Sequence, residues 1–144
     1  MKNEIIQSLQ ELDKFKELAE QINCKKTPIN ISGLVFVGKS HIISSIKEEI
    51  KRPICVITYN ELQAKNMVKD LRYFTDKVEY FGKREIASYD YVSESKDLPF
   101  ARIDVLNKLK NKDVNIVVTT IEAIMQSMIS EKVLYKNILT FTVG

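Results

Sequence analysis

Two short apolar runs, Ile54-Cys55-Val56-Ile57-Thr58 and Val114-Asn115-Ile116-Val117-Val118, constrain the fold of this chain more than any other feature. Runs of this length, rich in β-branched residues, suit strands of a parallel sheet covered on both faces. Parallel neighbours cannot be joined by a hairpin, and the segments between the runs supply the helical crossovers they need. After the first run, Ala64, Met67, Val68, Leu71 and Phe74 recur at helical steps, with Asn60 as N-cap and Gln63 three residues later. Val78-Glu79-Tyr80-Phe81 predicts a further strand. Pro99 suits the first turn of the next helix, whose inward positions are Ile103, Leu106 and Leu109.

On either side of this centre the pattern continues. Ile42, Ile46 and Ile50 share one face of a helix over 39–51, and Ile29-Asn30-Ile31-Ser32 reads as a short strand ahead of it. Thr119 or Thr120 caps a short helix carrying Ile121, Ile124, Met125 and Met128. Leu139, Phe141 and Val143 alternate with Thr140 and Thr142, predicting a last, one-sided strand. The expected fold class is α/β: three layers, a mostly parallel sheet with helices on both faces and right-handed crossovers. Ile5, Leu9, Leu12, Phe15, Leu18 and Ile22 predict one amphipathic helix over 3–22, followed by a linker at Cys24-Lys25-Lys26-Thr27-Pro28. The expected organisation is therefore an N-terminal helix and linker, 1–27, and a single domain, 28–144. Because the sequence stops at an amphipathic strand with no closing helix, it reads as a fragment of a longer polypeptide.

Composition narrows the function. With 144 residues the chain can bury one core, and a net charge of +3 neither demands nor excludes a polyanionic partner. Cys24 and Cys55 lack any metal-binding or disulfide spacing, so no metal is expected and a reducing, cytoplasmic location is. No signal-type run opens the sequence, and nothing approaches the ~18 consecutive apolar residues of a membrane span.

Gly33-Leu34-Val35-Phe36-Val37-Gly38-Lys39-Ser40 satisfies the phosphate-loop pattern G-x-x-x-x-G-K-[ST] and violates its chemistry. A working loop wraps backbone N–H groups round phosphates, its Lys reaches the terminal phosphates and its hydroxyl holds Mg²⁺. Leu, Val, Phe and Val between the glycines oppose so tight a wrap. A carboxylate is also needed at the C-terminal end of a neighbouring strand, and none follows either apolar run directly. The reading is a P-loop or RecA-like fragment with a degenerate nucleotide loop. Gly33, Gly38, Lys39 and Ser40 are then structural, with no catalytic residue and no bound cofactor. The rival is a nucleotide-binding enzyme with an unusual loop. His41, the only histidine, has no evident catalytic partner and reads as structural or exposed. The segment 83–95 mixes Lys83 and Arg84 with tyrosines and acids; an ordered surface loop and a nucleic-acid contact are both open there, the acids opposing the second.

Several of these residues recur in one order in a known family. Ile31-Ser32-Gly33-Leu34, Val56-Ile57-Thr58-Tyr59-Asn60 with Gln63-Ala64, Arg84-Glu85 before Tyr89-Asp90, and Ser93 come first. Arg102 with Leu106, then Ile116-Val117-Val118-Thr119 leading through Ala123 to Met125-Gln126, complete the series. Together they resemble the N-terminal domain of the bacterial transcription-repair coupling factors and, more distantly, the first domain of the excinuclease B protein. The resemblance covers 28–144.

It implies a non-catalytic module of an ATP-driven DNA translocase that releases stalled RNA polymerase and recruits the nucleotide excision repair excinuclease. Such a module would scaffold the adjacent domain that docks the excinuclease A protein. ATP and Mg²⁺ would belong to a downstream motor, and RNA polymerase and DNA to other domains; no membrane partner is implied. Arg84, Tyr89, Asp90 and Arg102 become the candidate interdomain or partner surface. Arg102 would hold the loop through an ion pair or carbonyl contact. The DNA-clamping hairpin of the excinuclease B protein has no room between Tyr91 and Arg102, so strand clamping is not expected.

Overall fold

The computed structural model describes residues 2–50, 52–84 and 97–136. In chain order its helices are α1 (Lys2–Gln10), α2 (Asp13–Asn23), α3 (Phe36–Glu49), α4 (Glu61–Arg72), α5 (Asp97–Lys110), α6 (Ile121–Met125) and α7 (Glu131–Lys136). The strands are β1 (Ile54–Thr58), β2 (Val78–Phe81) and β3 (Ile116–Thr120). They form an open parallel sheet in the order β1-β3-β2, with Ile54 and Val78 both level with Ile116. The α/β expectation holds.

The register fixes which side chains share a face. Val78, Ile116 and Val118 point toward α4 and close a core with Ala64, Met67, Val68 and Leu71. On the opposite face Phe81 and Val117 pack with Val105 of α5, Ala123 of α6 and Val114. α3 packs beside α4, and α1 packs on α3. Asn60 caps α4 as expected: its side-chain oxygen accepts the Gln63 N–H at 2.8 Å.

Several expectations need correcting. The helix over 3–22 is two helices, broken at Glu11 and an extended, exposed Leu12. Asp13 favours a first helical turn over a helix interior, and the break lets Ile6 and Phe15 be buried separately. Residues 29–32 form no strand, because the sheet pairs only β1, β3 and β2 within the described residues. The strand expected at 114–118 runs from Ile116 to Thr120. Two threonines can enter this central, fully buried strand because the Thr119 hydroxyl donates to the Phe81 carbonyl (2.8 Å) and the Thr120 hydroxyl accepts the Ala123 N–H (3.2 Å).

β1 is an edge strand covered on one face, so Cys55 and Ile57 are exposed. In α5 the buried stripe is Arg102 and Val105, leaving Ile103 exposed, since the guanidinium rather than the isoleucine turns inward. α6 stops before Met128, and α7 has no clear sequence signal. The strand expected at 139–143 lies outside the described residues.

Two helix ends share one motif. After α2, Lys25 N–H donates to Ile22 O and Lys26 N–H to Gln21 O; after α5, Lys112 N–H donates to Leu109 O and Asp113 N–H to Lys108 O. Both are Schellman caps, and both place lysine (φ 56° and 62°) in the left-handed position where glycine is least strained.

Candidate functional site

The phosphate-loop pattern does not form a phosphate loop. Gly33 alone takes a left-handed turn, φ 80°. Val35 then acts as an extended N-cap with no side-chain hydrogen bond, and the chain enters α3 at Phe36. Val37, Gly38, Lys39 and Ser40 are thus helical, and the Lys39 N–H already donates to the Val35 carbonyl. A Cβ placed on Gly38 would make only ordinary contacts at 3.9 Å, so nothing approaches this glycine closely. Ser40 is fully buried and its hydroxyl donates to the Met67 thioether at 3.1 Å, turned into the α3–α4 interface. Lys39 stays exposed at the surface. With no strand before it, the expected strand–loop–helix context is absent as well.

His41 is likewise engaged by packing. Its Nε2 lies 2.8 Å from the Ile5 carbonyl, and its ring stacks on Phe74 with centroids 5.3 Å apart. Among the described residues no three His, Cys, Asp or Glu side chains gather as a metal site. No described helix is long and apolar enough to cross a membrane.

Among the described residues, the densest polar arrangement lies at the C-terminal edge of the sheet, around Arg102. Only 8% exposed, Arg102 reaches across from α5 to the exit of β2. Its guanidinium donates to the Gly82 carbonyl (2.6 Å), to Ala123 O (3.3 Å) and to Gln126 Oε1 (3.4 Å), and lies 4.1 Å from the centre of the Phe81 ring. Burial, and secondarily the charge of Arg84, pull its pKa down, though guanidinium stays cationic at neutral pH. Among the described residues, carbonyl dipoles and a ring face stand where a carboxylate partner is usual.

Gln126 completes the clasp. Its Oε1 accepts the Arg84 N–H at 2.6 Å and its Nε2 donates to the Arg84 carbonyl at 2.8 Å, so the side-chain amide pairs with the backbone like one rung of a sheet. Lys83 adds an ion pair to Glu122 at 3.0 Å. A Cβ on Gly82 would meet the Tyr80 ring at 2.9 Å, which is why the chain passes here as glycine. The clasp holds the backbone from Gly82 to Arg84.

Of the expected surface residues, Arg84 and Arg102 are brought together, one exposed and the other inside. Tyr89 and Asp90 lie outside the described residues. Sequence reasoning missed Glu122 and the role of Gln126. Placing the strand two residues early hides Glu122, which lies just past the true strand end at Thr120. Gln126 has one usable signal, its place in the Met125-Gln126 pair that closes the family resemblance.

Known proteins point the same way. No family model and no solved structure matches the chain. The Transcription-repair-coupling factor of Bacillus subtilis (strain 168) is 28% identical over 122 residues, covering 83% of this chain and 10% of that protein. UvrABC system protein B of Tropheryma whipplei (strain TW08/27) is 32% identical over 85 residues, covering 58% of this chain and 12% of that protein. The chain thus spans about a tenth of the length of each. An open parallel sheet and two relatives of the expected kinds together make this chain similar to the N-terminal, excinuclease B-like domain of transcription-repair coupling factors.

Proposed function

We propose that the chain is a non-catalytic domain of a transcription-repair coupling factor and serves as a scaffold for a neighbouring domain that docks the excinuclease A protein. The parent would be an ATP-driven DNA translocase whose motor, with its ATP and Mg²⁺ and its translocating grip on DNA, lies elsewhere, as does its contact with RNA polymerase. The carrying observation is the Ser40 hydroxyl buried against Met67, with Phe36, Val37 and Gly38 already in a helix where a nucleotide site needs a loop. The clasp of Arg102, Gln126 and Arg84 supports a role in presenting one rigid edge to the rest of such a module. In this reading Arg84 belongs to that edge, with Tyr89 and Asp90, while buried Arg102 organises it.

Calorimetric titration with Mg-ATP tests the reading. It predicts no binding tighter than about millimolar, equivalent to roughly 4 kcal/mol. Micromolar affinity that disappears in Lys39→Ala would establish the rival, a nucleotide-binding enzyme.

A further inference from the structure

In a parallel sheet the strand entrances and the C-terminal ends of the crossover helices meet at one edge, here the edge opposite the Arg102 clasp. Arg52 precedes β1, Lys77 precedes β2 and Lys112 precedes β3. Asn115 N–H and Ile116 N–H both donate to the Lys77 carbonyl, and Ile54 N–H donates to Asn115 O, so the three entrances lie side by side. A cavity of about 460 Å³ shared by Lys25 and Arg52 brings the end of α2 to the same edge. Lys69 and Arg72, in the last turn of α4, complete the group.

Ordinary structural roles account for part of this charge. Lys69 and Arg72 complement the α4 dipole. Arg52 and Lys77 lie on strand entrances, outside any helix. Lys25 and Lys112 occupy left-handed positions where glycine would relieve strain, yet each keeps a cation. None of these six makes an ion pair among the described residues, whereas Lys16, Lys65, Lys83 and Lys108 do. The nearby acids, Asp70, Asp76, Asp113 and Glu49, the last lining the cavity beside Lys25 and Arg52, are fewer.

The kind of partner follows from the apolar surface. Exposed Ile57, Tyr59, Leu62, Ile121 and Met125 all lie on or toward the opposite edge; at this edge Tyr73, 75% exposed, stands alone among the large exposed hydrophobics on the three strand approaches. A protein interface is built round an apolar core, whereas a nucleic-acid interface is polar and positive. We propose that this edge binds the phosphodiester backbone of a nucleic acid, with Tyr73 placed to stack on a base. The proposal stands independently of the scaffold reading.

Fluorescence anisotropy of labelled 20-nucleotide single strands and 20-base-pair duplexes, titrated with this chain from 50 to 300 mM salt, tests it. Binding in the range of about 10 µM at 50 mM salt is expected, weakening steeply as salt rises. Arg52→Gln and Lys77→Gln each weaken it several-fold and lower the slope of log K against log salt by about 0.9. Lys25→Gly and Lys112→Gly weaken binding while raising the melting temperature, a pairing that general damage to the fold cannot produce. Lys14→Gln, at the far end of α2, leaves binding unchanged. Affinity no tighter than millimolar at 50 mM salt, or glutamine variants that bind like the parent, overturns the proposal. Poly-glutamate bound as tightly as the oligonucleotides overturns it too, assigning the edge to an acidic protein.

Discussion

Replacing Arg102 with methionine keeps an unbranched apolar stem and removes the guanidinium with its charge and donors. The Gly82 and Ala123 carbonyls, at 2.6 and 3.3 Å from the guanidinium, then lose their partner. A buried acceptor left unsatisfied costs about 1–3 kcal/mol, and the lost stacking on Phe81 adds about 1 kcal/mol. Relief from burying a cation offsets part of this, leaving a net loss of about 3 kcal/mol. For a chain of this size the melting temperature should fall by on the order of 10 °C, read by circular dichroism. Arg102→Lys should recover only part of it, because an ammonium cannot span Gly82, Ala123 and Gln126 together. Gln126→Ala should cost less in the Arg102→Met background than in the parent, since both residues hold the same exit from β2. A loss below about 1 kcal/mol, or full additivity of the two substitutions, would refute the clasp.

Other predictions concern separate elements. Asn60→Ala removes the acceptor for the Gln63 N–H and should destabilise the fold by about 1 kcal/mol in urea melts. Lys112→Gly should stabilise it by about 0.5–1 kcal/mol by relieving the left-handed position, a gain absent from Lys110→Gly, which should destabilise α5. Hydrogen bonds to Asp104 and Glu79 hold the Lys108 pKa well above its ordinary 10.5. Because the folded value is raised, this contribution is complete below pH 10.5 and fades as pH climbs above it toward the folded pKa. The difference in melting temperature between parent and Lys108→Gln should therefore hold steady to about pH 10 and narrow above it.

Whatever local chemistry determines is legible in the sequence. Asn60 with Gln63 marks the start of α4, and the Val78–Phe81 strand is found to the residue, because cap and apolar run each lie within a few positions. What escapes depends on neighbours distant in sequence. Only the strand order makes β1 an edge and exposes Ile57, and only the reach of Arg102 to Gly82 explains why Ile103 faces outward. The break at Leu12 shows the limit of counting apolar residues, since the period runs unbroken while Asp13 starts a new helix. At the candidate site, the bulky side chains between Gly33 and Gly38 argue against a tight wrap, and the segment enters a helix instead. That Ser40 turns inward to Met67 is beyond their reach, because it rests on a contact between separate helices.

The central claim is that the segment from Gly33 to Ser40 is a helix start and holds no nucleotide. Ligand that binds only the folded chain raises its stability, by about 2.7 kcal/mol at a hundredfold excess over Kd. Thermal melts with and without about 0.1 mM Mg-ATP, a hundredfold excess over a micromolar Kd and well below a millimolar one, therefore test the claim directly. The account predicts coincident melting curves for the parent and for Lys39→Ala. An upward shift of several degrees in the parent, lost in Lys39→Ala, would contradict it.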